Sequence, residues 1–146
     1  MERSVYIIKP EAMSDRKGIC RLIEAAGLRI VARKLTRISK EAIDILYPDL
    51  NQDLRDATLY HYGLGLSEIG IVEGPEAIAR LFRLAGQSVD PAECRASTIR
   101  FKFGYRLPVR MGNAFYYKNA FHRTRNSLDV TRELAIYEML PDLSGK

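Results

Sequence analysis

Tryptophan is absent from this chain of 146 residues, and cysteine and histidine occur only twice each. Cys20 and Cys94 are too few and too far apart to indicate a disulfide framework, so we expect reduced thiols in a cytoplasmic protein. No apolar run approaches the roughly 18 residues that a membrane span needs, and the first residues lack the build of a signal peptide. The length is typical of one domain, so we expect a single domain over residues 1–146.

Acidic residues are also scarce in one stretch of the chain. Arg95–Arg132 contains nine Lys or Arg and a single acidic residue, Asp129, in a chain whose net charge is +5. Such a stretch attracts phosphates, although a solvated basic face has the same composition. Charge alone also allows nucleic acid as a partner. Because the stretch contains His122, we expect an anionic substrate.

The rest of the sequence alternates between strand and helix patterns. Apolar runs predict buried strands at residues 5–8 and 69–72, and a longer strand at 28–38 whose alternation breaks as it would across a bulge. Apolar residues at helical spacing, with Gly, Pro or Asn at the ends, predict helices at residues 19–26, 42–47, 50–62, 74–86 and from Asn126 or Ser127 to 137.

The composition of residues 87–118 predicts a long loop. It has some strand character at Thr98–Phe103 and contains Pro and Gly between 105 and 112. A strand over Ala120–Thr124 follows. Without the helical pair and the loop, the order is β-α-β-β-α-β. The predicted fold is therefore α/β (α+β), a ferredoxin-like sandwich whose antiparallel sheet is covered by helices, with a helical hairpin insertion and an enlarged loop before the last strand. This architecture hosts many functions, so function must be argued from a site.

His122 is the candidate reactive residue. A neutral imidazole is a competent nucleophile near pH 7, and a neighbouring carboxylate can orient it. Glu133, eleven residues later, lies beside the inward face of the last predicted helix, from which it could reach the sheet. The alternative is a core histidine whose ring nitrogens are satisfied locally.

Four short motifs then occur in an order and spacing that resemble the nucleoside diphosphate kinase family from the first strand to the last helix. They are Ile7-Ile8-Lys9-Pro10-Glu11, Asp90-Pro91-Ala92, Thr98-Ile99-Arg100, and Asn119-x-x-His122 followed by Glu133. Each motif is weak alone, but together they are specific. The resemblance implies transfer of the γ-phosphate from a nucleoside triphosphate to a nucleoside diphosphate, by a ping-pong mechanism through a phosphohistidine.

The resemblance also implies roles for individual residues. His122 would be the nucleophile and Glu133 the carboxylate that orients it, with Tyr47 beside the ring. Lys9 and Asn119 would meet the phosphates and the sugar hydroxyl.

Two further residues would bind phosphate: Arg100 through its guanidinium, and Ser88 as a stand-in for the family's threonine. Mg²⁺ would arrive with the nucleotide, bridging phosphate oxygens, and no protein-built metal cage is expected. The implied partners are nucleoside di- and triphosphates and further copies of the chain, in a homo-oligomer with a dimer as its building unit.

Two family positions have no clear counterpart. The aromatic that stacks on the base is replaced by Tyr60 or Tyr62, and we assign Tyr60. The arginine expected in the helix over 78–85 is either Arg80 or Arg83, and we assign Arg83.

The chain also departs from the family pattern after the histidine. The family continues with Gly-Ser-Asp, whereas this chain continues with Arg123-Thr124-Arg125. Thr124 keeps a hydroxyl, but Arg123 replaces a residue without a side chain, and it could either hold a phosphate or crowd the site. The loop over 101–118 is longer than in the family.

Two alternatives to the kinase remain open at this point. The first is a nucleotide-binding or regulatory domain of the same fold with little turnover. The second is a basic nucleic-acid-binding protein, for which Phe101, Phe103 and Tyr105 have a spacing compatible with base stacking, although a buried strand explains that spacing equally well. Retention of His122 and Glu133 together with the cations Lys9 and Arg100 favours the enzyme.

Overall fold

The computed structural model describes residues 1–145. In chain order its elements are β1 (Glu2–Ile8), α1 (Arg16–Ala25), β2 (Arg29–Thr36), α2 (Lys40–Leu46), α3 (Gln52–Tyr62), β3 (Ser67–Gly74), α4 (Ala77–Ala85), α5 (Ile99–Phe103), β4 (Val109–Met111), β5 (Ala114–Tyr116), β6 (Phe121–Arg123) and α6 (Ser127–Met139). Two 3₁₀ turns, Pro10–Asp15 and Pro91–Glu93, precede α1 and α5.

The main sheet has the strand order β2-β3-β1-β6, and every neighbouring pair is antiparallel. Its two faces bury two separate cores. On one face α1 and α4 cover Tyr6 and Phe121, and on the other α2, α3 and α6 cover Val5 and Ile7. Because residues 5–8 of the central strand β1 are buried on both faces, this part of the strand is a continuous apolar run and does not alternate. The predicted ferredoxin-like sandwich is confirmed.

Two local predictions are also confirmed. The break in the alternation of β2 is a register shift between Ile30 and Ala32 against β3. Of the two residues proposed to cap the last helix, Asn126 is the cap, because its Oδ1 accepts hydrogen bonds from the backbone amides of Leu128 and Asp129.

The strand character predicted at Thr98–Phe103 is wrong, because this segment is the short helix α5. Thr98 caps it, since its Oγ1 accepts from the amide of Phe101 at 3.2 Å. The strand propensity of Ile and Phe is overridden here by the cap and by burial of Ile99. The ring of Phe101 lies 3.9 Å from the guanidinium carbon of Arg106, so the aromatic spacing does not reflect a strand on which bases could stack.

The enlarged loop also contains structure that the sequence did not predict. β4 and β5 pair as a hairpin with a two-residue turn, and Gly112 has the positive φ (59°) that the first position of such a turn requires. The hairpin packs against α3, where a carboxylate oxygen of Asp53 accepts from the amide of Asn113 at 3.1 Å. This contact directs Tyr116, at the end of β5, towards the interior.

Candidate active site

His122 is held by β6, which pairs with β1 through the register His122 to Ile7. The side chain of His122 faces α6, and only 7% of the surface of this residue is exposed. Nε2 lies 2.8 Å from Oε1 of Glu133, which is buried on α6. The hydroxyl of Thr124 donates to the same carboxylate oxygen at 3.2 Å. One side of the imidazole is therefore fixed by a buried acid.

The other ring nitrogen faces a hydroxyl. Nδ1 of His122 lies 3.2 Å from the hydroxyl oxygen of Tyr47, which in turn lies 2.9 Å from that of Tyr62. Since the Glu133 carboxylate oxygen accepts from Nε2–H, Nδ1 carries the lone pair in a neutral ring. Tyr47 then donates to Nδ1 and Tyr62 donates to Tyr47, in a chain that leads from the helical pair to the carboxylate.

The protonation state of His122 follows from its surroundings. Burial lowers the pKa of the imidazole, Glu133 raises it, and the charges of Arg123 and Lys9 lower it again. Burial is the largest effect, so the pKa lies below its ordinary value and the ring is neutral at pH 7. The same burial raises the pKa of Tyr47 to about 12, so its hydroxyl keeps the proton that it donates.

The backbone in front of His122 is strained. Ala120 has φ +73°, and the amide of Phe121 donates to the carbonyl of Asn119 at 2.9 Å, which closes a γ-turn of the rarer, positive-φ form. Glu11 holds this turn, because its Oε2 accepts from the Ala120 amide at 3.1 Å, and the amide of Lys9 donates to the Ala120 carbonyl at 2.8 Å. Strain of this kind is found mainly at functional sites.

Lys9 follows β1 and is almost fully buried, with 6% of the residue exposed. Its Nζ lies 5.5 Å from the ring centroid of Tyr62 and 5.5 Å from that of Tyr116. Burial lowers the pKa of Lys9 to about 8, Glu11 opposes that shift, and the charges of Arg100 and Arg123 add to it. The ammonium group is thus a desolvated cation packed between two aromatic rings.

Arg100 on α5 joins three parts of the chain. Its guanidinium donates to the carbonyls of Phe121, Gly86 and Ser88, at distances of 2.9 to 3.4 Å. A guanidinium has five N–H donors, and these bonds use four of them. Arg100 therefore braces β6 against the loop that carries Ser88 and keeps one N–H for another acceptor.

Asn119 and Ser88 lie on the same side as this brace. The Asn119 amide nitrogen donates to the Val89 carbonyl at 3.1 Å, while its Oδ1 is buried and has no hydrogen-bond partner within residues 1–145. The Ser88 hydroxyl oxygen accepts from the amide of Asp90 at 3.1 Å. A buried acceptor without a donor is costly.

Two residues assigned from the sequence are not brought into this cluster. Tyr60 is 56% exposed, and its ring edge contacts His61. Arg83 is exposed and lines a groove of about 510 Å³ with Phe82 and Arg125. Both assignments stay predictions. Arg80, the alternative, donates to the Ala26 carbonyl at the end of α1.

Three contributors were not assigned a role from the sequence. Thr124 could have been found, because it lies two residues after His122 on the same face of a strand. Tyr62 was considered only for base stacking, and its bond to Tyr47 depends on how α2 and α3 pack. Glu11 lies inside a quoted motif, but its partner is the amide of Ala120, 109 residues away. No local pattern reports such a contact.

Two searches of the part of the chain that the structure describes bear on cofactors and membranes. No three His, Cys, Asp or Glu side chains of residues 1–145 are grouped so that they could hold a metal ion. Within the same residues, none of the helices has the length and apolarity needed to cross a bilayer. The cytoplasmic location stays a prediction.

Comparison with known proteins agrees with the geometry. A sequence model of the nucleoside diphosphate kinase family matches residues 2–138. A protein named nucleoside diphosphate kinase from Ignicoccus hospitalis is 30% identical over 142 residues, which cover 94% of this chain and 88% of that protein.

Solved structures give the same result for the fold. The nucleoside diphosphate kinase of Encephalitozoon cuniculi matches with a TM-score of 0.79 at 22% identity, covering 94% of this chain and 88% of that one. The Borrelia burgdorferi enzyme, solved as a transition-state mimic with vanadate and ADP, matches with a TM-score of 0.75 at 23% identity, covering 93% and 86%. With the family match extending over nearly all of its length, the chain belongs to the nucleoside diphosphate kinase family.

Proposed function

We propose that this protein transfers the γ-phosphate of a nucleoside triphosphate to a nucleoside diphosphate through a phosphohistidine at His122. The observation that carries the proposal is a buried, neutral imidazole with Nε2 bound to Glu133 and Nδ1 facing a hydroxyl. A purely structural histidine needs no cations nearby, yet the charges of Lys9 and Arg123 act on this one. Membership of the nucleoside diphosphate kinase family supports the same reaction.

The reaction has two balanced halves. In the first, the Nδ1 lone pair attacks the γ-phosphorus, an N–P bond forms, and the bond from phosphorus to the bridging oxygen breaks, with its electron pair leaving on the diphosphate. The ring becomes positively charged, and the Glu133 carboxylate at 2.8 Å from Nε2 stabilises that charge. In the second half, a terminal oxygen of the acceptor diphosphate attacks the phosphorus and the N–P electron pair returns to Nδ1. Neither half requires a proton on Nδ1.

Tyr47 has to release Nδ1 before the attack. Its hydroxyl can turn to a phosphoryl oxygen while still accepting from Tyr62, so the donor that holds the resting ring becomes a donor to the moving group. Phosphoryl transfer depends mostly on such positioning and on positive charge around the phosphorus. Lys9 supplies one cation, and the remaining N–H of Arg100 supplies another contact to a phosphate oxygen.

The polar groups around this centre fit a nucleotide. The unpaired Oδ1 of Asn119 suits a sugar hydroxyl, which can donate to it. Ser88 is proposed to meet a phosphate through its hydroxyl, which is supported by the bond from Arg100 to its carbonyl. Tyr60 as the base-stacking ring and Arg83 as a phosphate ligand are kept as weaker assignments, since each is exposed.

Magnesium enters the proposal as part of the substrate. Three cations, Lys9, Arg100 and Arg123, act on the site around His122, against the two carboxylates Glu11 and Glu133. This excess of positive charge attracts phosphate and disfavours Mg²⁺, so the ion would be held by phosphate oxygens and water. The chain's own task is then to bind the anionic end of the nucleotide.

A homo-oligomer with a dimer as its building unit is also proposed. β2 is an edge strand of the main sheet, and an edge strand presents unpaired backbone groups to another chain. Analytical ultracentrifugation of the purified protein tests this, and a monomer at all concentrations would contradict it.

The decisive experiment is labelling with γ-labelled ATP and magnesium in the absence of an acceptor. We expect base-stable, acid-labile label on the protein, none on the His122→Ala variant, and transfer of the label when a nucleoside diphosphate is added. Label that does not move to a diphosphate would contradict the kinase. Nucleotide binding without any label would favour the nucleotide-binding or regulatory domain.

A further inference from the structure

Arg123 has a defined but incomplete environment. It follows His122 on β6, and successive strand residues point to opposite faces, so His122 faces α6 while Arg123 faces α4. There its guanidinium carbon lies 4.1 Å from the ring centroid of Phe82, a stacking arrangement that fixes the plane of the group. This residue stands where the family has none with a side chain.

Arg123 has no direct ion pair within residues 1–145, and the charge of Glu133 acts on it from farther away. Nε of Arg123 is buried without a hydrogen-bond partner within residues 1–145, and none of the ion pairs in that part of the chain includes Arg123. By contrast, Arg125, which lies two residues after the end of β6, pairs with Asp129 at 3.6 Å. A partly buried, unpaired guanidinium is costly, so it is informative that the fold keeps one beside the nucleophile.

Arg123 is also one of three cations that act on one another. The charge of Arg100 lowers the pKa of Arg123, burial being the larger cause, and the pKa reaches about 10. Arg100 and Arg123 in turn lower the pKa of Lys9. Two carboxylates face this group: Glu11 raises the pKa of Lys9 and Glu133 raises that of Arg123. Both are engaged in hydrogen bonds with other groups, so three cations share two carboxylates and neither carboxylate pairs directly with Arg123.

The position of β6 makes this group accessible to one ligand. β6 is an edge strand of the sheet, so an anion beside the edge can meet His122 from one face and Arg123 from the other. A triphosphate carries several anionic oxygens and so matches three cations better than a carboxylate does. Guanidinium N–H groups bind phosphate oxygens with directed, charge-assisted bonds.

We propose that Arg123, held by Phe82, is a catalytic residue that binds the oxygens of the phosphoryl group passing to and from His122. This role of Arg123 rests on the proposed function above. Arg123 contributes charge to the moving group on the side opposite Tyr47, and Phe82 is a positioning residue that keeps the guanidinium in place. The change after the histidine therefore adds a phosphate ligand and does not obstruct the site.

The test is the single-turnover rate of His122 labelling at saturating ATP and magnesium in a set of variants. We expect Arg123→Ala to lower this rate roughly 10²- to 10³-fold, as loss of one transition-state donor does, with ADP affinity little changed. Arg123→Lys should lose less. Phe82→Leu should lower the rate roughly 2- to 30-fold, which corresponds to the range of a cation–π contact. Arg125→Ala is the matched control and should label like the unmodified protein.

A further readout separates chemistry from folding. If Arg123 acts through its guanidinium, added guanidinium ion at low concentration should restore part of the rate in Arg123→Ala, and it should do nothing for Phe82→Leu. Arg123→Ala or Arg123→Lys that label as fast as the unmodified protein would overturn the proposal. So would Arg123→Ala that labels faster, because that is the result expected of a crowding side chain.

The two proposals fail in different ways. If the unmodified protein forms no phosphohistidine, the kinase fails, and inorganic triphosphate binding measured by calorimetry then tests Arg123 alone. Weaker triphosphate binding by Arg123→Ala than by Arg125→Ala would keep Arg123 as a phosphate ligand. Equal binding by the two variants would overturn it.

Discussion

Two buried groups of charged side chains flank strand β1, and they differ in how completely their members are paired. On the α1 face, both oxygens of Glu68 are used: Oε2 accepts from the Tyr6 hydroxyl at 2.6 Å and from the Cys20 thiol, and Oε1 pairs with Arg16 at 3.3 Å. Around His122, by contrast, Nε of Arg123 has no hydrogen-bond partner among residues 1–145, and none of the ion pairs there includes this residue.

The difference indicates what each group is for. A buried charge whose bonds are complete stabilises one conformation of the protein, and nothing further can bind to it without displacing a partner. Buried cations without partners carry a free-energy cost in the empty protein, which a bound anion offsets. The pairing of a buried group, more than its charge or depth, thus distinguishes the structural cluster from the functional one.

The sharpest test of this comparison replaces Lys9, which takes part in none of the ion pairs within residues 1–145. Lys9→Met should lower His122 labelling roughly 10²- to 10³-fold, because a phosphate-binding cation is lost. The same change should raise the free energy of unfolding by about 1 kcal/mol or more, since a desolvated charge is replaced by an apolar chain of similar size. Labelling assays and urea denaturation measure the two effects.

Lys34→Met serves as the matched control, because Nζ of Lys34 donates to the carbonyls of Tyr137 and Leu140 at 2.7 and 3.1 Å. That variant should lose stability and keep its labelling rate. A Lys9→Met protein that is less stable than the unmodified one would contradict the distinction between the clusters.

The paired cluster should respond in the opposite way. Glu68→Gln should lower the free energy of unfolding by about 2 kcal/mol, because it weakens the bonds to Tyr6 and Arg16 in a buried site. Labelling of His122 should stay unchanged at a temperature where the variant is folded. Thermal denaturation followed by circular dichroism gives the first quantity, and a large loss of labelling in folded Glu68→Gln would sink the idea that this cluster is structural.

The pH dependence of kcat/KM should report the two titrating groups of the cluster around His122. The pKa of Lys9 in the folded protein is about 8, so kcat/KM should fall about tenfold per pH unit above that value as the cation is lost. His122 has a lowered pKa, so the acid limb should lie below the usual range of histidine. Lys9→Arg should move the basic limb to higher pH, and an unchanged basic limb in that variant would show that another group titrates.

Stability should follow the opposite trend over the same interval. The folded pKa of Lys9 lies below its ordinary value of 10.5, so between about 8 and 10.5 the unfolded chain binds more protons than the folded one. The contribution of Lys9 to the free energy of unfolding therefore rises with pH there. Over this interval activity should therefore fall while the contribution of Lys9 to the free energy of unfolding rises. A lysine held in a stabilising ion pair would not produce these opposite trends.

The smallest expected effect concerns the backbone before His122. Ala120→Gly should raise the free energy of unfolding by roughly 1 kcal/mol, since relief of about 1–3 kcal/mol of strain at φ +73° exceeds the entropy cost of glycine. Denaturant unfolding measures this change. A clear loss of stability would mean that the turn is not strained, and Ala12→Gly, in an ordinary backbone conformation, is the destabilising control.

Prediction from the sequence succeeded where the signal is local. The apolar run of β1, the helical spacing in α1 and α4, and the cap of α6 all come from contiguous residues, whose periodicity reflects which face is buried. It failed at α5 and at the β4–β5 hairpin, because short elements carry too few residues for a period and are fixed by caps and by contacts with distant helices.

The candidate site divides along the same line. His122 and Glu133 were found because a motif and a helix register place them together. Tyr47 was also expected beside the ring. Its bond to Tyr62 and the Glu11–Ala120 bond were not expected, because they join residues that only the packing of separate elements brings close.

The sequence alone therefore determined the class of fold and the family resemblance, and it proposed the nucleophile and its carboxylate, since these depend on residue types at fixed spacings. Only the tertiary structure decided which nitrogen of His122 is held by Glu133 and which faces a hydroxyl. It also decided that Arg123 lies on Phe82 with its Nε unbonded within residues 1–145. The physical reason is that spacing along the chain fixes the face on which a side chain lies. Whether a buried charge is paired there depends on groups supplied by strands and helices far away in sequence.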